Sequence, residues 1–254
     1  GGFGFSRDQA SAIVGIYGFS VYLASLPGGW VADRLFGLQR AIFVGACLIT
    51  AGHLSIGLSG LAGPGGGKLP FFAGLVLIVL GTGLLKPNIS AIVGDLYPEG
   101  GSRRDAGFSI FYMGINTGAF AGQLITGALG EKMGWHWGFG AAGFGMLLGL
   151  IVFSLRRHKT LRGIGVEPTR HPDSAVQSRQ ERTVKIATVA GLAIIVLVFF
   201  LAATGAITID AQVIGRHLVN ITLALVILFF LYVFVMGGIN TEEKMRVAVM
   251  FVVF

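Results

Sequence analysis

One lysine stands inside a long apolar stretch of this sequence. Lys86 is the only charged residue between Phe71 and Gly94. A lysine at the centre of a lipid bilayer costs about 2.5–3.5 kcal/mol on insertion scales, and intramembrane charges by default mark sites that bind ions or move protons. The alternative is a lysine about two turns from the membrane edge whose ammonium group extends to the surface. We favour the functional interpretation of Lys86.

Uncharged polar residues in other apolar stretches add hydrogen-bonding groups. Asn116 lies in a glycine-rich stretch, and Gln123 follows it by seven residues, so both share one helix face. Asn116 either binds a substrate or hydrogen-bonds between helices, and a structural role is favoured for Gln123. Tyr22 either contacts a substrate or packs with its hydroxyl satisfied. Tyr112 is a further pocket candidate.

His53 lies in the middle of an apolar stretch, where a histidine is more often a packing residue than a ligand. The sequence shows no cluster of metal-ligating residues and no pairing of a nucleophile with a base. We therefore expect neither an enzyme nor a bound metal or cofactor.

The stretches that must position these residues are long enough to cross a membrane. Hydrophobic residues make up 54% of the 254 residues and charged residues only 12%, against about 25% charged in soluble domains. A spanning helix needs about 20 mostly apolar residues. Seven stretches meet that need: 9–31, 41–62, 71–94, 106–129, 134–155, 186–206 and 217–238. An eighth begins near Met245. The sequence predicts an all-α, multi-pass membrane protein.

The basic residues are distributed unevenly about these stretches. The net charge of +7 could signal nucleic-acid binding, but 14 of the 19 lysines and arginines follow the first, third, fifth and seventh stretches. Basic residues accumulate in cytoplasmic connections, so that side is cytoplasmic. Ser6 is then outside and Arg156 inside, and nucleic acid is not expected as a partner.

The broadest polar segment, 156–185, divides the chain. Before it, small residues recur every fourth position, as in Gly114, Gly118 and Gly122, a spacing that lets helices approach closely in lipid. The two later stretches are apolar on all sides, as in helices that face lipid. We predict a packed bundle over 1–155, a cytoplasmic linker over 156–185, an inserted helical hairpin over 186–238, and the start of a further bundle over 239–254.

Local signals also mark the helix starts and the chain ends. Ser6-x-x-Gln9 and Ser102-x-x-Asp105 have the pattern of capping boxes for the first and fourth helices. The chain opens without methionine and stops inside an apolar run. We interpret it as an internal piece of a longer protein.

A short motif closes the first apolar stretch. In Gly28-Gly29-Trp30-Val31-Ala32-Asp33-Arg34-Leu35-Phe36-Gly37-Leu38-Gln39-Arg40, one carboxylate and two arginines lie on a cytoplasmic turn. Asp33, Arg34 and Arg40 could clamp two helix ends by charge-assisted hydrogen bonds, or be ordinary interfacial residues. The motif resembles the Gly-x-x-x-Asp-Arg-x-Gly-Arg loop of the major facilitator superfamily.

Further motifs narrow that resemblance. Gly81-Thr82-Gly83-Leu84-Leu85-Lys86-Pro87-Asn88-Ile89-Ser90 contains the lysine, and Phe111-Tyr112-Met113-Gly114-Ile115-Asn116-Thr117-Gly118-Ala119-Phe120 contains the asparagine. With Gly94-Asp95-Leu96-Tyr97 and Arg103-Arg104-Asp105-Ala106-Gly107-Phe108-Ser109, they resemble the signature of the proton-coupled oligopeptide transporter family. The resemblance runs from about Ser6 to Arg157. Bacterial members carry two extra helices between two six-helix bundles, which 186–238 resembles.

The resemblance implies a fold and a function. The fold is the N-terminal half of a major facilitator bundle, family helices two to six, with the hairpin and the start of helix seven. The function is proton-driven symport of di- and tripeptides across the cytoplasmic (inner) membrane by alternating access. Lys86 would serve substrate binding and proton coupling, and Tyr22 and Asn116 would contact the substrate. The partners would be small peptides, protons, the lipid bilayer, and a second bundle of the same protein.

Two other functions stay open at this point. A relative that moves nitrate or an organic anion would use Lys86 equally well. The family's first-helix Glu-x-x-Glu-Arg motif, which would discriminate, lies outside this chain. A non-transporting membrane sensor or scaffold would leave Lys86 unexplained.

Overall fold

The secondary structure is helical throughout the part of the chain that the structure describes. This computed structural model describes residues 3–61 and 67–236, and beyond them 240, 242, 245, 246 and 249. A π-helical turn over Ala32–Phe36 joins the second and third helices. The helices are α1 (Arg7–Leu23), α2 (Ser25–Val31), α3 (Leu38–Ser59), α4 (Lys68–Asp95), α5 (Gly101–Met133), α6 (Trp135–Thr160), α7 (Ser174–Ala203) and α8 (Ala211–Met236). The predicted all-α fold is confirmed, while most of 239–254, with the span predicted from Met245, lies outside the described residues.

Six helical segments of the described chain are long and apolar enough to cross a membrane. They are Arg7–Phe36, α3, α4, α6, α7 and most of α8. The protein is therefore a multi-pass membrane protein. α5 contains the whole predicted span 106–129, but it is not in that group, because glycine and polar residues interrupt its apolar ones. Part of its surface therefore needs protein or water rather than lipid.

The chain divides into two compact units. The first comprises Gly1–Gly4 and Tyr17–Ile209, and the second comprises Phe5–Ile16 and Asp210–Phe254. Within the second unit, the predicted capping box at Ser6 is confirmed, since the Ser6 amide donates to Gln9 Oε1 at 3.0 Å and the Gln9 amide to Ser6 Oγ at 3.2 Å. All the candidate site residues lie in the first unit.

Glycines bring α3 and α4 into backbone contact. A side-chain carbon placed on Gly45 would lie 2.6 Å from the Gly81 carbonyl oxygen, and one on Gly52 would lie 2.7 Å from that of Gly74. From the first pair to the second, the contact moves forward along α3 and back by the same number of residues along α4. This is the pattern of two antiparallel helices in one register. Such small-residue contacts replace the hydrophobic driving force that lipid does not provide.

α6 packs against α3 in the same antiparallel manner. A side-chain carbon on Gly57 would lie 3.4 Å from the backbone of Gly140, and one on Gly143 would lie 3.1 Å from the His53 Cβ atom. α5 joins this group through α6, where a carbon on Gly138 would lie 2.6 Å from the Thr126 carbonyl oxygen. The first unit is thus built outward from the α3–α4 pair.

One local prediction for α5 is wrong, and a second stays a prediction. Ser102 does not cap the helix, because α5 already begins at Gly101, after Gly100 with φ of 68°. The glycines at 114, 118 and 122 make no close helix contact in the described structure: a side-chain carbon on any of them would meet nothing within 4 Å. No described helix covers that face of α5.

Candidate functional site

Lys86 and Tyr22 face each other between α4 and α1. The Lys86 Nζ atom lies 4.1 Å from the centroid of the Tyr22 ring, well within the range of cation–π attraction. Both side chains are exposed, Tyr22 to 69%. No carboxylate of the described residues pairs with Lys86. The ammonium group therefore rests on an aromatic face and keeps its N–H donors available for an anion.

The packing of α4 against α2 fixes the position of Lys86. Pro87 has no amide N–H, so the Gly83 carbonyl loses its donor within the helix. Gly28 of α2 packs directly against that carbonyl, in the space where a side chain would stand. On the other side, a side-chain carbon on Gly83 would lie 2.5 Å from the Ala24 carbonyl oxygen. The two helices are in backbone contact one turn from the lysine.

The three pocket candidates on α5 share one face. Tyr112, Asn116 and Gln123 are four and seven residues apart, which places them along one stripe of the helix. All three side chains are exposed. The structure therefore brings Tyr22 and Lys86 together, while the part of Asn116 in the same substrate site stays a prediction.

A small cavity lies elsewhere, between α3, α5 and α6. It has a volume of about 170 Å³, and its lining includes His53, Thr126, Trp135 and Phe139. The His53 ring stacks on Phe139 at 6.5 Å between centroids. Its Nδ1 atom is buried without a partner in the described structure. The cavity is mostly apolar and contains none of the predicted substrate residues.

Comparison with known proteins decides the family. The model of the POT family matches residues 39–165. The chain belongs to the POT family. The peptide transporter YePEPT of Yersinia enterocolitica subsp. palearctica is 43% identical over 99% of this chain and 48% of its own length. A di-/tripeptide transporter of Lactococcus lactis subsp. lactis is 39% identical over 96% of the chain and 47% of its own length.

Solved structures of POT transporters share the fold. A peptide transporter POT in complex with sulfate superposes with a TM-score of 0.75 at 43% identity, over 98% of this chain and 48% of that one. A POT family transporter in complex with 5-aminolevulinic acid gives 0.76 at 33% identity, over 97% and 48%. The chain thus spans about half the length of the relatives it matches. The resemblance seen in the sequence motifs is confirmed.

The turn between α2 and α3 of this POT chain is held by a backbone strap. We call residues 161–169, which follow α6, the strap. The Thr169 amide donates to the Asp33 carbonyl oxygen at 2.8 Å, and the Gln39 amide to that of Gly165 at 2.9 Å. The Gln39 side chain is 4% exposed, and its Nε2 atom donates to the Ile164 carbonyl oxygen at 2.7 Å. The strap thereby joins both sides of the turn.

The sequence left two interpretations open for the charged residues of the turn, a clamp or ordinary interfacial residues, and the described structure shows no clamp by ion pairs. Asp33 and Arg40 have exposed side chains, and Arg34 is half-buried. Among the described residues, none of the three forms an ion pair. Asp33 contributes its backbone carbonyl to the strap instead. The clamp between the helix ends is made by backbone groups and by Gln39.

Two buried amides were not singled out from the sequence. Asn88 is 2% exposed, and its Nδ2 atom donates to the Leu84 carbonyl oxygen at 2.6 Å and lies 3.5 Å from that of Gly28. It follows Lys86 and Pro87 directly, so its place in the motif was visible. Gln39 stands beside Arg40 in a turn whose sequence predicts an exposed polar surface. The side chain of Gln39 is buried because the strap covers it.

Proposed function

We propose that the protein to which this chain belongs is a proton-driven symporter of di- and tripeptides that works by alternating access. The observation that carries the proposal is the Lys86 ammonium group on the face of Tyr22, 4.1 Å from the ring centroid, without a carboxylate partner in the described chain. An intramembrane cation with free donors suits the carboxylate end of a peptide.

The site chemistry follows from what a zwitterionic peptide requires. Lys86 binds the peptide carboxylate, Tyr22 offers its hydroxyl beside it, and Asn116 donates from α5. The ammonium end of the peptide needs an anion, and no aspartate or glutamate occurs between Asp33 and Asp95 or between Asp105 and Glu131. That anion is supplied from outside this chain, as is the second bundle that alternating access requires.

Lys86 also links binding to protons. We infer that Lys86 pairs with the peptide carboxylate when substrate is present and with a carboxylate from elsewhere in the protein when it is absent. Exchange between these two partners couples peptide movement to proton movement.

The relatives support a peptide as the substrate. Two of them are named as peptide and di-/tripeptide transporters. One solved relative holds 5-aminolevulinic acid, which carries a carboxylate and an amine, as a peptide does. A peptide and 5-aminolevulinic acid would each present a carboxylate to Lys86.

The test is proton-driven dipeptide uptake by the full-length protein in liposomes. Lys86→Ala should abolish gradient-driven uptake, because it removes the charge that binds the carboxylate. Lys132→Ala, at the exposed end of α5, is the matched control and should transport as the wild type does. Wild-type uptake by Lys86→Ala would overturn the proposal and favour a lysine that merely extends to the surface.

An anion transporter is the second candidate. A related POT structure holds sulfate, and Lys86 would bind an inorganic anion as readily as a carboxylate. Uptake of nitrate and of a labelled dipeptide should be compared in the same liposomes. Nitrate uptake without dipeptide uptake would replace the peptide proposal with the anion one.

A further inference from the structure

The segment after α6 carries a large excess of positive charge. Between residues 156 and 185 there are eight lysines and arginines but three acids. Each acid already has a partner nearby. Glu167 pairs with Arg170 at 2.7 Å, and Asp173 caps α7 by accepting from the Ala175 backbone amide at 2.8 Å. Glu181 accepts from the Gln177 side-chain amide at 2.8 Å. The cations at the end of α6 therefore have no carboxylate partner within the described chain.

One of those cations is held in a fixed position. The Arg157 guanidinium lies over the Phe43 ring of α3, 5.3 Å from its centroid. Its Nε atom is shielded from solvent and has no hydrogen-bond partner among the described residues, while the residue as a whole is half-buried. A guanidinium held against an aromatic ring loses less freedom when it binds an anion than one that is free in water.

A second arginine lies at the same level on α3. The Gly57–Gly140 and Gly143–His53 contacts set the antiparallel register of α3 and α6. Continued toward the cytoplasmic ends, that register places Arg40 level with Arg157. Arg40 is exposed and, like Arg157, has no carboxylate partner in the described residues. Two cations without a carboxylate partner in the described chain therefore lie at the same level of the two helices.

This junction lies at the depth of the lipid headgroups. Arg157 follows the apolar part of α6, on the side of the membrane that the basic residues mark as cytoplasmic. The surface of that leaflet carries anionic lipids, which basic juxtamembrane residues attract. A bidentate arginine matches a phosphate in shape as well as in charge.

We propose that the junction of the cytoplasmic ends of α3 and α6 binds the headgroup phosphate of an anionic phospholipid, with Arg157 as the central ligand. Phe43 fixes the plane of the guanidinium, and Arg40 adds a second charge from α3. The acyl chains then lie along the apolar surface of the two helices. The bound lipid joins α3 to α6 on the side of the bundle where the strap also ends.

The test is lipid binding to the purified full-length protein by native mass spectrometry in neutral detergent. Phosphatidylglycerol and phosphatidylcholine with the same acyl chains are the two probes. The wild type should bind phosphatidylglycerol preferentially, and Arg157→Gln should weaken that binding by about tenfold, as expected for the loss of a charge-assisted hydrogen bond. Arg103→Gln is the control, since Arg103 is an exposed cytoplasmic arginine paired with Glu99 at 3.4 Å.

Further arms keep the test decisive if Arg157→Gln folds poorly. Arg157→Lys keeps the charge but loses the bidentate fork, and Phe43→Leu removes the aromatic platform. Each should weaken phosphatidylglycerol binding by about two- to fivefold, in line with cation–π energies. Equal binding of the two lipids, or an equal loss in Arg103→Gln, would overturn the proposal. Displacement of the lipid by inorganic phosphate at equal concentration would show a site for soluble anions and would overturn it as well.

Discussion

At the scale of single residues, the candidate site depends on polar groups that the membrane makes costly. Asn116 has an exposed amide on α5, and its neighbours Tyr112 and Gln123 share its face. Each needs water, protein or substrate as a hydrogen-bonding partner, because lipid offers none. That need, rather than the family resemblance alone, makes this face of α5 the place to test.

Replacing Asn116 should weaken binding moderately. Asn116→Ala removes about one hydrogen bond to the substrate, roughly 0.5–1.5 kcal/mol, so dipeptide affinity of the full-length protein should fall by a small factor. Isothermal titration calorimetry with a dipeptide measures it. Asn220→Ala, an exposed asparagine of α8, should leave affinity unchanged. An unaltered affinity in Asn116→Ala would remove this residue from the site.

The sequence identified Lys86 because a single charge in an apolar run is conspicuous. It could not show that Tyr22 is the ring beneath it, since that depends on the crossing of α1 and α4. Asn88 and Gln39 escaped notice for the opposite reason. Each is an amide close to a more conspicuous cation in the sequence. Whether an amide side chain is buried cannot be predicted from its residue type.

At the scale of elements, the strap is the feature that stabilises the start of α3 and the end of α6. Leu161 belongs to a buried cluster with Ile42 of α3 and Ile92 of α4, and Ile164 packs against the same cluster. The Gln39 side chain adds a hydrogen bond that is largely shielded from water. The strap therefore combines apolar burial with backbone hydrogen bonds.

Loss of the Gln39 amide should loosen the strap. Gln39→Ala leaves the Ile164 carbonyl oxygen without that donor, which should destabilise the protein by about 1–3 kcal/mol. Scanning fluorimetry of the detergent-solubilised protein should show a lower unfolding midpoint. Asn220→Ala removes an exposed amide of α8 and should leave the midpoint unchanged. Equal midpoints for the two variants would mean that the strap adds no stability.

The existence of most helices was visible in the sequence, because hydrophobic length predicts a span. Their limits were not, since α7 begins at Ser174, well before the predicted span 186–206. The strap was not, because its hydrogen bonds join backbone groups and any polar linker could make them. The start of α5 lies two residues before the start that Ser102 indicated. Gly100 and Gly101 adopt φ of 68° and 66°, and the helix begins at Gly101, ahead of the serine that resembled a cap.

At the scale of the whole molecule, α7 and α8 differ from the other helices in chemistry. Their sequences from 186 to 203 and from 218 to 236 contain no charged residue and a single glycine, Gly191, whereas the other long helices are rich in glycine. A water-lined route for a zwitterion needs polar groups along its wall. We therefore expect the inserted hairpin, 186–238, to lie outside the transport path.

Removing the hairpin should spare substrate binding. The deletion in the full-length protein must keep residues up to Thr169, because the strap ends there in contact with Asp33. Dipeptide affinity should stay within a few-fold of wild type. A second deletion that also removes 161–169 should lower the unfolding midpoint, which separates the strap from the hairpin. Complete loss of binding in a well-folded hairpin deletion would contradict this prediction.

The glycine contacts between α3 and α4 restrict which sequences can keep this fold. The space beside Gly45 is filled by the carbonyl oxygen of Gly81, and the space beside Gly52 by that of Gly74. A clash with a side chain could be relieved by a smaller residue on the partner helix, but a backbone oxygen is the same for every residue type. No second substitution can therefore compensate for a larger residue at any of these four positions, and they are expected to vary neither singly nor in pairs.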